Sequence, residues 1–388
     1  MNSDLTAFSG ADIFDGTDMI KDHVLVIKKH CVMGIVAPEN IPLDAKLVML
    51  NGGILAPGLV DLQVNGGGGH MFNDAPNVET LRIMACAHAA LGVTSFLPTL
   101  ITDRAEKTQA AIDAVDQAIS QNVPGIMGLH LEGPHLSLAR KGAHDGELIR
   151  PMTPDDLDML LDAAARLPFL KVTLAPENVT FSQMKTLADA GVFLSIGHSD
   201  TSYDVVLQSV ENGVRCVTHL FNAMSQIQNR EPGLVGAAIA TGALSAGLIA
   251  DFVHVHPTSI EIALKAKVGP GQIFLVSDAM ATAGSDIDHF YLNSRRINRD
   301  KTHGKPRLTL ADGTLAGADL DLVTAIGNVA SLSDVSLSQA IAMASSIPAR
   351  VIGKADQIGH LLPGRQADFM HLKAGKLQSV WQAGTQLT

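Results

Sequence analysis

Glu132, His198 and His219 offer one carboxylate and two imidazoles, a mixed oxygen and nitrogen set that suits Zn²⁺ or another borderline divalent ion with positions left open for water. Asp278 stands further along the chain, where it could take a proton from water activated by such an ion and return it to a leaving group. Metal-assisted hydrolysis is the chemistry this combination can perform. The stretch THLFNAMSQIQNREPG, 218–233, adds an amide and a cation beside His219, with Asn222, Arg230 and Gly233 on what reads as a loop. A buried histidine closing a strand before a solvated loop would explain any one of these residues. Their joint placement at equivalent points of a repeating pattern is what indicates a site.

That pattern is an alternation of apolar runs with amphipathic segments, expected of βα units around a parallel sheet. Eight strands are predicted, at 54–64, 94–101, 125–131, 170–175, 192–197, 215–220, 246–255 and 273–277. Helical periodicity follows most of them, at 78–91, 104–121, 154–167, 181–190, 201–212 and 257–266. The expected fold is α/β, a (β/α)₈ barrel whose active-site groups sit at the carboxyl ends of the strands. Read off at those ends, the residues are Gln63 and Asn65, Glu132, His198, His219, His254 and His256, and Asp278. Carboxylates and imidazoles concentrate at the end where catalysis is expected.

Outside the barrel the texture changes. Short strands are predicted at 6–13, 23–29, 32–36 and 46–50, and the far end, with ADFMHL and KLQSVWQAG, resembles them. The two ends are expected to form one small β-sandwich domain, 1–56 plus 346–388, leaving 57–345 as the barrel. A chain of 388 residues with 46% hydrophobic and 17% charged residues is long and apolar enough for both cores. The net charge of −11 leaves no basic face for nucleic acid or an anionic membrane, so an anionic substrate would need local cations. Three scattered cysteines, Cys31, Cys86 and Cys216, suggest neither a disulfide framework nor a thiolate cage. The start has no basic segment leading into an apolar core and no run of about 18 apolar residues occurs, so a soluble cytoplasmic protein is expected.

The segments HLEGPH (130–135), KGAH (141–144), GHS (197–199), THLFNAM (218–224), REPGLVG (230–236), SDA (277–279) and LAG (315–317) together resemble the N-acetylglucosamine-6-phosphate deacetylases of the amidohydrolase superfamily. APGLVDLQVNG and LPGRQADF resemble that family's junctions between β-sandwich and barrel, so the similarity spans essentially the whole chain. The resemblance implies that Glu132, His198 and His219 bind the metal and that Asp278 is the catalytic acid/base, in agreement with the residue chemistry. It further implies that His144 polarises the acetamide carbonyl, that Asn222 and Ala223 offer amide contacts to the sugar phosphate, and that Arg230 holds the phosphate through its planar donor fork. His254 would reach the phosphate of a neighbouring subunit, which implies a homodimer.

Many amidohydrolases carry His-x-His after the first strand for a second metal, where this chain has Gln63-Val64-Asn65. Amides are poor replacements for imidazole, so one divalent ion per subunit is expected, taken as Zn²⁺ with Fe²⁺, Co²⁺ or Mn²⁺ as other candidates, and Gln63 becomes a substrate contact. His135 stands where relatives usually have an aromatic residue; it lines the sugar pocket, reaches the metal, or has no direct part in the site. His256 can simply close a buried strand. The expected reaction converts N-acetylglucosamine 6-phosphate to glucosamine 6-phosphate and acetate, in amino-sugar catabolism. Its rivals are the galactosamine epimer as substrate, a cyclic amidase of the dihydroorotase type, and a sugar-phosphate-binding barrel without catalysis. Two-metal cyclic amidases commonly use His-x-His and a carboxylated lysine, against which Gln63, Asn65 and Glu132 weigh.

Overall fold

A computed structural model describes residues 4–302 and 304–387. Eight parallel strands form one sheet in sequential order: β1 (Leu59–Val64), β2 (Val93–Ile101), β3 (Leu129–Glu132), β4 (Leu170–Leu174), β5 (Phe193–Ile196), β6 (Cys216–Val217), β7 (Ser245–Leu248) and β8 (Ile273–Leu275). Just past β8 the sheet closes on β1, through a parallel bridge between Val64 and Ala279 and a 3.1 Å hydrogen bond from the Asp278 amide to the Gln63 carbonyl. The fold is therefore a (β/α)₈ barrel. All nine residues of β2 are buried, as expected for a parallel strand covered on both faces.

Helices follow the strands: α1 (Val78–Ala90), α2 (Ala105–Ser120), α3 (Pro154–Arg166), α4 (Phe181–Asp189), α5 (Tyr203–Glu211), α6 (Gly233–Ala240) and α7 (Pro257–Ala266). Local chemistry sets where they begin. Thr153 and Asp156 form a reciprocal capping box at α3, and Thr180 and Gln183 form one at α4, so two otherwise unpaired donors are satisfied at each start.

The barrel interior is partly polar. His130 lies between Thr99, at 3.1 Å from Nδ1, and Thr173, at 2.7 Å from Nε2. Thr173 continues to Thr218 at 2.7 Å, and Thr218 to Ser195 at 2.6 Å. Burial pushes the His130 imidazole well below its ordinary pKa, so this chain of bonds is built from neutral groups.

Several predicted spans are corrected. The run 54–64 is two strands, Ile54–Pro57 and β1, interrupted at Gly58, where a Cβ would stand 2.1 Å from Thr94 Oγ1. The predicted 125–131 strand is shortened to β3, and 215–220 to the two residues of β6, because His219 takes a left-handed backbone with φ 30°. The run 246–255 stops at Leu248: Asp251 Oδ1 accepts from the amides of Val253 and His254, each at 2.8 Å, and folds the apolar segment into a turn. Gly233 opens α6 rather than lying in a loop. Beyond β8, unpredicted strands His289–Leu292, Arg295–Asp300 and Arg307–Thr309 form an antiparallel sheet over Met71, Met280, Phe290, Ile297 and Leu308.

The chain divides into two compact units, Leu62–Ala87 with Phe96–Asp321, and Met1–Asp61 with His88–Ser95 and Leu322–Thr388. Described by itself, the second unit holds two sheets. One orders Cys31–Val36, Val24–Lys28, Leu5–Ser9 and Lys46–Met49; the other orders Thr385–Gln386, Lys376–Gln382, Phe369–Lys373, Ile54–Pro57, Asp12–Phe14 and Met19–Ile20. The far end of the chain thus pairs with the near one, Phe369 opposite Pro57. Phe8, Phe369 and Trp381 centre its core, with the Phe369 and Trp381 rings stacked at 4.7 Å.

Candidate active site

Glu132 ends β3, while His198 and His219 follow β5 and β6 within two residues. Their donor atoms converge. His219 Nε2 is 3.0 Å from Glu132 Oε1 and 3.0 Å from His198 Nε2, and His198 Nε2 is 3.3 Å from Glu132 Oε1. Ligands about 2.0–2.1 Å from a tetrahedral ion stand roughly 3.3 Å apart, so the three atoms already have the spacing of one face of such a site. The group can hold a metal ion. His198 is further prepared for it, because Nδ1 donates to the Arg140 carbonyl at 2.9 Å and leaves the Nε2 lone pair facing the other two ligands.

His198, His219 and Asp278 all adopt left-handed backbone, with φ of 48°, 30° and 50°. Non-glycine residues rarely accept that region, and its recurrence at three strand ends turns each side chain inward over the barrel mouth. Asp278 is buried, and its Oδ1 accepts from Asn65 Nδ2 at 2.7 Å and from Gln63 Nε2 at 3.1 Å. Gln63 Nε2 also donates to Glu132 Oε2 at 3.1 Å, so one amide ties the two carboxylates together.

The electrostatics differ between the two acids. Burial pushes the Asp278 carboxyl above its usual range, with the Glu132 charge adding to the effect. Burial also acts to raise Glu132, but hydrogen bonds from His198 and His219 outweigh it and hold that carboxyl well below the usual range. His219 titrates above its ordinary value because the bond and charge of Glu132 overcome burial. His144 goes the other way, lowered by burial and then by the neighbouring His198. A permanently ionised ligand beside a proton-accepting acid is the division of labour that hydrolysis requires.

These groups line a cavity of about 400 Å³, together with Asn65, Arg140, His144, Asn222, Ala223, His254 and Leu292. The His144 ring lies edge-on to His198 with centroids 4.3 Å apart, and its Nδ1 is 2.8 Å from Thr102 Oγ1. Asn222 Nδ2 is directed to the carbonyls of His219 and Leu220, both at 3.3 Å, and its neighbour Ala223 has φ 48°.

Two expected substrate contacts lie elsewhere. Gln63 is buried against Glu132 and Asp278 and does not line the cavity; its amide serves the carboxylates instead. Arg230 is exposed and also outside the lining. His254 lines this cavity too: the turn at Asp251, with Oδ2 at 2.6 Å from His254 Nδ1, holds the imidazole there.

His135 and His256 have structural partners. His135 is 3% exposed, with Nδ1 3.0 Å from the Arg150 carbonyl and Nε2 3.9 Å from Asp156, and it neither lines the cavity nor joins the metal group. His256 caps α7, accepting from the Thr258 amide at 3.2 Å. Sequence reasoning passed over Arg140, Thr102 and Leu292. Thr102 sits directly after β2, where the strand-end rule would have found it; Leu292 belongs to the unpredicted hairpin.

Comparison with known proteins yields three results. Residues 54–387 match the model of the Amidohydrolase family. An N-acetylgalactosamine-6-phosphate deacetylase of Shewanella sp. (strain ANA-3) is 43% identical over 86% of this chain and 83% of its own, and an N-acetylglucosamine-6-phosphate deacetylase of Haemophilus influenzae is 33% identical over 92% of each. The crystal structure of N-acetylglucosamine-6-phosphate deacetylase from Pasteurella multocida superposes with a TM-score of 0.93 at 32% identity, covering 98% of this chain and 99% of that one.

Proposed function

We propose that this chain, which belongs to the amidohydrolase family, removes the acetyl group from N-acetylglucosamine 6-phosphate in a metal-dependent hydrolysis that yields glucosamine 6-phosphate and acetate. The observation that carries the reading is the convergence of Glu132, His198 and His219 beside a buried, proton-accepting Asp278 in one cavity, in a chain whose relatives bear deacetylase names.

Glu132, His198 and His219 hold one divalent ion, taken as Zn²⁺, which when bound acidifies water and draws electrons from a carbonyl. His144 donates a hydrogen bond to the acetamide oxygen as negative charge gathers there. Asp278 takes a proton from the attacking water and delivers it to the nitrogen as the carbon–nitrogen bond breaks, so the amine leaves neutral and the acetyl group leaves as acetic acid, whose remaining proton passes to the amine or to solvent to give acetate. Gln63 and Asn65 fix the Asp278 carboxylate for both transfers. Asn222, Ala223 and His254 contact the sugar phosphate.

The working unit is a homodimer in the cytoplasm. Arg230 keeps its role as phosphate ligand, but since it stands exposed outside its own cavity, it serves the cavity of the second subunit, while His254 serves its own. No helix among the described residues is long and apolar enough to cross a membrane.

One observation favours a second reading. The relative at 43% identity carries the galactosamine name, and the two substrates differ only in the configuration of one hydroxyl. Measuring free amine released from each epimer by the purified protein decides between them. Release from neither would overturn both.

A further inference from the structure

Thr102 is 1% exposed and its hydroxyl has two neighbours, His144 Nδ1 at 2.8 Å and the Glu132 carbonyl oxygen at 3.4 Å. A hydroxyl has one proton to give. Bonds from a hydroxyl to oxygen run about 2.5–3.0 Å, so the carbonyl competes weakly for that proton and the contact to His144 Nδ1 is the closer of the two. The chain makes room for this contact. Gly133 has φ +92°, and a Cβ there would stand 2.2 Å from Thr102 Oγ1, so any side chain at 133 would drive the hydroxyl off.

The backbone that carries His144 is fixed independently. Its own amide donates to the Lys141 carbonyl at 3.0 Å, and the carbonyl of Ala143 accepts from Arg295 Nη2 at 2.6 Å. With both polar groups of the peptide that leads into His144 held, the freedom that matters at the site is the rotation of the ring and the position of its hydrogen. A neutral imidazole donates from one nitrogen only, so whichever group supplies the proton at Nδ1 decides what Nε2 can do.

We propose that Thr102 is the positioning residue for His144: its hydroxyl donates to Nδ1 and leaves Nε2 as the N–H directed to the acetamide oxygen. The opposite arrangement would present a lone pair to the carbonyl and repel it. This assignment rests on the deacetylase reading for the identity of the carbonyl, but the hydrogen bond itself does not.

The test uses the metal-loaded enzyme. Thr102→Val keeps the shape and removes the hydroxyl, and should lower kcat by about 10- to 100-fold with KM and metal content little changed, while Thr102→Ser should keep most of the wild-type kcat. Imidazole ¹⁵N spectra of the wild type, assigned by the signals lost in His144→Gln, should show His144 as the Nε2–H tautomer. A wild-type spectrum with the hydrogen on Nδ1 overturns the proposal, even if the valine variant fails to fold. So does a valine variant with wild-type kcat, or a serine variant that falls as far as valine. If the wild type hydrolyses neither epimer, the deacetylase reading fails while the spectrum still decides the hydrogen bond.

Discussion

The Nε2 atoms of His198 and His219 face each other across 3.0 Å, with Glu132 Oε1 within 3.3 Å of both. Two imidazole nitrogens at that distance attract only if something positive lies between them, either a proton or a cation. Glu132 and Asp278 are both buried beside them and add carboxylate oxygens that a cation would balance. A divalent ion resolves the arrangement.

Removing the ion should therefore cost stability as well as activity. At a metal concentration about 100 times Kd, binding adds roughly 2.7 kcal/mol, so chelation should lower Tm by several degrees and added Zn²⁺ should restore it. His219→Ala should abolish that response to chelator. A wild-type Tm indifferent to both treatments would contradict the site.

Asp278→Asn retains the shape and the bonds with Asn65 and Gln63 in altered form, but it cannot accept a proton. Turnover should fall by at least about 10²- to 10⁴-fold with metal content unchanged. Metal analysis beside the steady-state assay checks this, and near-normal turnover would remove Asp278 from the mechanism.

Arg230→Ala should raise KM by about tenfold or more, because a lost phosphate fork costs the bound state more than 1.4 kcal/mol. Mixing inactive Asp278→Asn subunits with Arg230→Ala subunits, after dissociation and reassembly, should regain activity at low substrate. Each hybrid then holds one intact site. No recovery would place Arg230 in its own chain's cavity or outside the site altogether.

Away from the cavity, Asp156 tests the support beneath it. Burial pushes this carboxyl up, but the paired bonds from Arg150 and those from Thr153 outweigh burial and hold it well below the usual range. The stability it contributes is complete above the unfolded pKa of about 3.9 and disappears as pH falls through the folded value. Asp156→Asn should cost roughly 1–3 kcal/mol at neutral pH and flatten the acid side of a Tm against pH curve. An unchanged acid slope would deny the pairing its role.

How much of this was legible in the sequence follows from the range of each cause. Glu132, His198, His219 and Asp278 were legible because a strand period and a strand end are local signals, and a barrel brings all strand ends to one mouth. The strand expected over 246–255 overran into the segment that carries His254, because the turn made by Asp251 is a side-chain decision that hydrophobic periodicity does not register. The exposure of Arg230 depends on how a loop lies, and the hairpin at 289–309 carries too weak an alternation to announce a strand. Gln63 is at a strand end as expected, yet only the folded geometry reveals that its amide bridges two carboxylates.

Acetate release from N-acetylglucosamine 6-phosphate and its galactosamine epimer should be measured before chelation, after it, and after adding back one equivalent of Zn²⁺. Metal-dependent deacetylation requires release from at least the glucosamine substrate, its loss on chelation, and its return with the ion. Acetate released at an undiminished rate by metal-free protein, or none released by protein with the ion bound, would contradict it.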